Sequence, residues 1–320
     1  MIFRLGLVWL AAGGMAVSAC AQSDRPRNPF DTEILVETFG YGPQTPARVD
    51  LTEIYQGCPR KDCIPSIDQP RYVMAERADF LADDDLILGL DVDGEQRAFP
   101  IRILDHHEIV NDTIGGQAVI VTWCPLCGSG LVFEPSVEGE MVEFGVSGLL
   151  HNSDLVMYDR KTESLWQQIT GEAIVGDQLG RTLRLVPSTM TDWKTWRTSH
   201  PETLVLSPET GFRRDYFGRQ AYSGYAESER LMFPASRRDF SIHPKTVVFG
   251  LELDGVSLAL EEATLEEVAE VRFTTGDEDW LVRRLPDGTV TASSASGQEQ
   301  TAIRLFWFAW YNFHPDTQRL

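Results

Sequence analysis

The chain has 320 residues, 42% of them hydrophobic and 24% charged, which is the balance of a soluble globular protein with room for a sizeable core. A formal net charge of −20 argues against nucleic acid or an anionic membrane surface as partner, because either would repel it. The acidic residues are spread along the chain, so the charge describes a solvated surface and does not name a ligand.

The first residues read as a targeting segment. One positive charge, Arg4, precedes an apolar run that ends Val17-Ser18-Ala19-Cys20. That ending resembles a bacterial lipobox, which implies a signal peptide over residues 1–19, cleavage before Cys20 and acylation of its thiol. An ordinary secretory signal ending near Ala21 is the alternative. The expected location is the bacterial cell envelope, with the lipid as the membrane contact. Ala21 after the cysteine favours the outer membrane of a Gram-negative cell. No later apolar run is long enough to span a bilayer. Four cysteines remain, Cys58, Cys63, Cys124 and Cys127, and in an oxidising envelope an even number suggests disulfides or a metal site.

Residues 20–49 are polar and punctuated by Pro26, Pro29, Pro43 and Pro46, and read as a tether. Residues 57–67 form a proline-punctuated loop in which Cys58 and Cys63 are expected to close a local disulfide, the alternative being a ligand held over the site. Residues 86–101 read as a hairpin, two β-rich runs around Asp93-Gly94. Similar turn signals recur at residues 137–140 and 286–288, so the expected fold is β-rich α+β.

An internal repeat emerges when the halves are compared. Leu88-Gly89-Leu90-Asp91-Val92-Asp93-Gly94 recurs as Phe249-Gly250-Leu251-Glu252-Leu253-Asp254-Gly255. Trp193, Trp196, His200, Pro201 and Thr203 recur at the same spacing as Trp307, Trp310, His314, Pro315 and Thr317. The steps of three and four place both tryptophans and the histidine on one face of a short helix. Two related hairpin-rich units are expected, over residues 50–205 and 206–320, each closing with a Trp-bearing helix. His200 and His314 are shared and read as helix-end packing residues. The block from His106 to about Gly180 has no counterpart in the second unit and is expected to carry the function.

That block contains Trp123-Cys124-Pro125-Leu126-Cys127-Gly128, a Cys-x-x-Cys turn between two strand-like runs. Such a turn holds one metal ion or closes on itself, and with no second Cys-x-x-Cys it supplies only two ligands. Upstream, Asp105-His106-His107-Glu108 is joined to it by a short hairpin through Gly115-Gly116. A neutral His107 imidazole beside two thiolates would make a soft site for copper or zinc, with Glu108 behind it. The alternative is a half-buried histidine in a turn with acidic neighbours. Met157 offers a thioether for Cu(I), although a single Met in an apolar run is more often core. Asp159-Arg160 reads as an ion pair holding the following turn.

The runs HEIVND, TWCPLCGSG, FGVSGLLHNSDLVMYDRKTESLWQQ, GEAIVG and FWFAWYNFHPDT together resemble a bacterial family known only by number, domain of unknown function 3179. The resemblance covers nearly the whole chain beyond the leader. It implies that His107, Glu108, Asn111, Asp112, Cys124, Cys127, Ser147, Asp154, Asp159, Arg160, Ser164 and Trp166 occupy the family's motif positions. His106 and His151 depart from it, and Cys58 and Cys63 are particular to this member. The family brings no activity with it.

Three functions follow as expectations. The first is an envelope lipoprotein binding copper or zinc through Cys124, Cys127 and His107. The second is thiol–disulfide redox or cysteine-nucleophile chemistry on the same thiols, with His107 and Glu108 lowering a thiol pKa. The third is a non-catalytic module whose cysteines form a structural disulfide. Whether the chain is an enzyme, and which protein it meets, stay open. No phosphate loop, nucleotide fingerprint or serine-hydrolase elbow is present.

Overall fold

The structure is a computed structural model that describes residues 34–218 and 222–320. The expected signal peptide, Cys20 and the start of the expected tether lie outside the described residues. Among the described residues the chain is β-rich, with several small sheets and short helices, and no helix is long and apolar enough to cross a membrane.

The hairpin at Asp93-Gly94 forms as expected. Leu86–Val92 pairs antiparallel with Glu95–Pro100, and positive φ at both Asp93 and Gly94 gives the turn the handedness that matches strand twist. Thr189–Asp192 adds antiparallel on one side and Leu204–Leu206 parallel on the other. The helix Trp193–Ser199 joins these two flanking strands, and the Asp192 carboxylate accepts from the Thr195 N–H at its start, at 2.9 Å.

A second sheet has the same order. Val247–Leu253 and Val256–Glu261 form the hairpin, again with positive φ at Asp254 and Gly255. Ile303–Phe306 and Gln318–Arg319 flank it, joined by the helix Trp307–Phe313. The registers coincide. Leu86 faces Asp192 as Val247 faces Phe306, and Ala98 faces Val205 as Ala259 faces Arg319. Each central strand carries a glycine where a tryptophan lies flat on it, Gly89 under Trp196 and Gly250 under Trp310. Trp196 Nε1 donates to Thr203 at 3.1 Å and Trp310 Nε1 to Thr317 at 2.9 Å. His200 and His314 stack on the same two indoles, with centroids 4.0 and 3.8 Å apart, so both histidines are packing residues.

What separates the two sheets is inserted between hairpin and flanking strand. In the first half the insert comprises a sheet ordered Arg184–Val186, Ser129–Glu134, Gln117–Cys124, Ile109–Ile114, and a five-stranded sheet built on Phe144–His151 and Asp154–Asp159. The second half carries its own smaller insert, four antiparallel strands from Glu270–Thr275 to Glu299–Thr301. The second half is therefore shorter because its insert is smaller.

Side chains from both halves meet at the cysteines. One buried cluster joins Cys124, Leu126 and Cys127 to Val248, Leu305, Trp307, Phe308 and Trp310. The Phe306 N–H donates to the Cys127 carbonyl at 2.8 Å, and the Phe306 ring covers Gly128. Burial of these large apolar groups fixes the Cys-x-x-Cys turn from behind.

Candidate metal centre

Cys124 ends one strand and pairs with Ser129 at the start of the next, so the turn between them is tight. The Cys127 N–H donates to the Cys124 carbonyl at 3.1 Å, and Gly128 takes the positive φ that returns the chain. Both cysteines are free and buried. Opposite them, Asn152 and Ser153 both have positive φ and turn the Phe144–His151 strand into Asp154–Asp159. Ser236 N–H donates to the Asn152 side chain at 2.8 Å, and Ser153 Oγ donates to the Phe233 carbonyl at 2.6 Å, which holds this second turn in place.

The two turns face each other. Cys127 Sγ lies 3.4 Å from the Ser153 carbonyl and 3.4 Å from Asp154 Oδ1, and Cys124 Sγ is 3.9 Å from the same carbonyl. The other Asp154 oxygen is anchored by Gln167 Nε2 at 2.5 Å and the Ile169 N–H at 3.0 Å. The donor atoms of Cys124, Cys127 and Asp154 all lie within 4.8 Å of one another and can hold a metal ion. In a tetrahedral zinc site, ligand bonds near 2.0 and 2.3 Å place sulfur and oxygen about 3.5 Å apart, so the Cys127–Asp154 spacing already fits.

The electrostatics are one-sided. Burial pushes both thiols above their ordinary range, and Asp154 up to about 6. Burial likewise raises Glu108 to about 8, with Asp105 and Asp154 adding to the effect. The charged neighbours bearing on the thiols are themselves acidic, Asp154 on both and Glu108 on Cys124. The two thiols stay protonated until a cation enters.

Glu108 and Cys124 open into one cavity of roughly 240 Å³, walled by Ile64, Val146, Leu150, Met232 and Phe233 and edged by Tyr222. Glu108 sits at φ 57°, a left-handed backbone that non-glycine residues seldom adopt. Glu108 shares the cavity wall with Cys124, while its neighbour His107 is held by Pro65 and Tyr216.

His107, which the sequence suggested as third ligand, does not join this group. Its Nδ1–H donates to the Pro65 carbonyl and its Nε2 accepts from the Tyr216 hydroxyl, both at 2.7 Å, and Tyr216 is in turn held by Thr210 at 2.6 Å. Burial pushes its pKa down to about 4, so the ring is neutral with both nitrogens engaged. The third member of the group that could hold an ion is Asp154. His106 packs edge-on against Tyr216.

The remaining family positions build the frame. Asn111 bridges the two inserted sheets, donating to Asp68 at 2.7 Å and to the Phe144 carbonyl at 2.9 Å. Asp112 accepts from the Tyr72 hydroxyl, and Ser147 donates to the Val156 carbonyl at a bulge. Asp159 and Arg160 do not pair with each other. Asp159 accepts from the Thr162 N–H at 2.6 Å and from Trp166 Nε1 at 2.9 Å, whereas Arg160 reaches Asp68 at 2.8 Å and Glu143 at 2.6 Å. Ser164 accepts from the Gln178 N–H at 3.1 Å. Met157 is core, opposite Val146 and Trp166. His151 is held by Gln167 at 2.7 Å. Cys58 and Cys63 are bonded to each other beside the cavity and are not ligands.

Sequence reasoning missed the segment carrying Tyr222, Tyr225, Met232 and Phe233. It has no regular secondary structure, and its only signal is a pair of tyrosines three residues apart in a Ser/Gly context.

No curated protein and no solved structure matches the chain. A family model described as "Protein of unknown function (DUF3179)" matches residues 61–303, which take in both cysteines, Asp154, Glu108 and the tyrosine segment. With well over half of its length matched, the chain belongs to the DUF3179 family.

Proposed function

We propose that the protein binds a single thiophilic metal ion on Cys124, Cys127 and Asp154, and that it does so in the bacterial envelope as a lipoprotein anchored through Cys20. The observation that carries this reading is the convergence of three buried acidic donors at ligand spacing. Two thiolates alone would suit copper(I). A carboxylate oxygen as third donor tilts the set toward zinc, which accepts mixed sulfur and oxygen ligands in a tetrahedron. Three protein ligands leave a fourth position, and the cavity beside Cys124 and Glu108 gives a water or small ligand access to that side.

Zinc titration of the metal-free protein tests this. Binding with release of protons is expected, since both thiols must ionise. Asp154→Asn is expected to weaken binding by about tenfold or more. His107→Ala is expected to leave zinc affinity within about twofold of wild type, while lowering stability by about 1–3 kcal/mol through loss of its bonds to the Pro65 carbonyl and the Tyr216 hydroxyl. Loss of binding in His107→Ala with retention in Asp154→Asn would reverse the ligand assignment.

One observation favours a second reading, thiol–disulfide chemistry: Cys124 borders the cavity while Cys127, close behind it, does not. The raised thiol pKa values work against it, because the thiolate is the reactive form.

A further inference from the structure

The cavity beside Cys124 is apolar except at a few residues. The Cys58–Cys63 bond ties the loop that supplies Gly57, Cys58 and Ile64 to its lining. Gly57 lets that loop close on the neighbouring strand, because a Cβ there would lie 2.8 Å from Leu150 Cδ1. The strands Phe144–His151 and Asp154–Asp159 contribute Val146, Leu150 and Leu155. Met232 also lines the cavity and is 50% exposed, so the space reaches solvent past one unbranched side chain. Among the described residues that line it there is no lysine, arginine or histidine, and Glu108 carries the only carboxyl.

Glu108 is only 7% exposed, and a buried carboxyl is costly unless it is paired. The charges that bear on it are those of Asp105 and Asp154, which add to the effect of burial and do not offset it. An anionic ligand would meet the same repulsion, whereas a positive head would relieve it. The apolar walls select an apolar body behind that head. A cavity of about 150 Å³ takes up benzene, so roughly 240 Å³ leaves room for one ring on a short arm. We infer that the cavity binds a small primary amine, with its nitrogen on the Glu108 carboxyl and its apolar body against Val146, Leu150 and Leu155. Acid and amine share one proton, so the pair brings no net charge into the apolar space. No ion is needed for this, and the inference is independent of the metal-binding reading above.

Calorimetric titration of the full chain with benzylamine, benzyl alcohol and benzoate tests this, since the three probes share a ring and differ in the head. Benzylamine is expected to bind at one site per chain, about tenfold or more tighter than benzyl alcohol, and benzoate is expected not to bind. Glu108→Gln keeps the shape of the side chain and is expected to remove the advantage of the amine while leaving the alcohol's affinity within about twofold. Leu150→Trp, on the half-buried part of the wall, is expected to lose both ligands by filling the space. Equal binding of amine and alcohol, binding of benzoate, or no binding of any probe would overturn the inference. An amine preference that survives in Glu108→Gln would overturn it by placing the nitrogen elsewhere. Undiminished binding in Leu150→Trp would overturn it by placing the ligand outside this cavity.

Discussion

At Glu108 a left-handed backbone, a buried carboxyl and the wall of a cavity coincide. Folding raises its pKa from the ordinary 4.5 to about 8. Over that interval the folded protein holds a proton that the unfolded chain has released, so stability of the metal-free protein falls as pH rises. Asp154 and Asp105 act in the same direction, but only from 3.8 to about 6. His107, whose pKa folding lowers to about 4, acts in the opposite direction and only below 6.5. Between pH 6.5 and 8, Glu108 acts alone of these four. Denaturant unfolding of chelator-treated protein is therefore expected to show stability declining across that window, and Glu108→Gln is expected to flatten the decline. A wild-type stability that stays level or rises from pH 6.5 to 8 would contradict the burial assigned to this carboxyl.

At the level of elements, the two hairpin sheets use one packing device twice. A glycine in the central strand lets an indole lie on the backbone, and the indole N–H is bonded by a threonine seven residues on. Both tryptophans are almost wholly buried, so neither ring has room to retreat. Gly89→Ala and Gly250→Ala are each expected to cost about 1–3 kcal/mol by overpacking, and by similar amounts because the surroundings match. Thermal or denaturant melts of the two variants check this. The sheets differ in function through what they hold. The first hairpin leads into the strands that present the two cysteines and Asp154, whereas the second covers those cysteines from behind with Phe306 and Trp307.

Across the whole molecule, the features written in local sequence were readable. The Asp-Gly hairpins, the Trp-bearing helices, the Cys58–Cys63 pair and the Cys-x-x-Cys turn depend on neighbours a few residues apart, and each stands where the sequence put it. The place of Asp154 beside the cysteines was not readable in the same way. His107 is the softer donor and comes first along the chain, but the Pro65 carbonyl and the Tyr216 hydroxyl take both of its ring nitrogens. Asp154 reaches the sulfurs only because two sheets bring their turns face to face, a juxtaposition that no spacing records. Tyr225 arrives in the same buried cluster on a segment without periodicity, so nothing in its sequence points at Cys127, 98 residues earlier. The central claim is that these distant pieces enclose an ion. It is tested most directly by elemental analysis and thiol counting on full-length protein purified anaerobically from the envelope. The account predicts zinc at about one ion per chain, with two thiols that become titratable only after chelation. Metal-free protein with both thiols freely titratable, or with Cys124 and Cys127 bonded to each other, would contradict it.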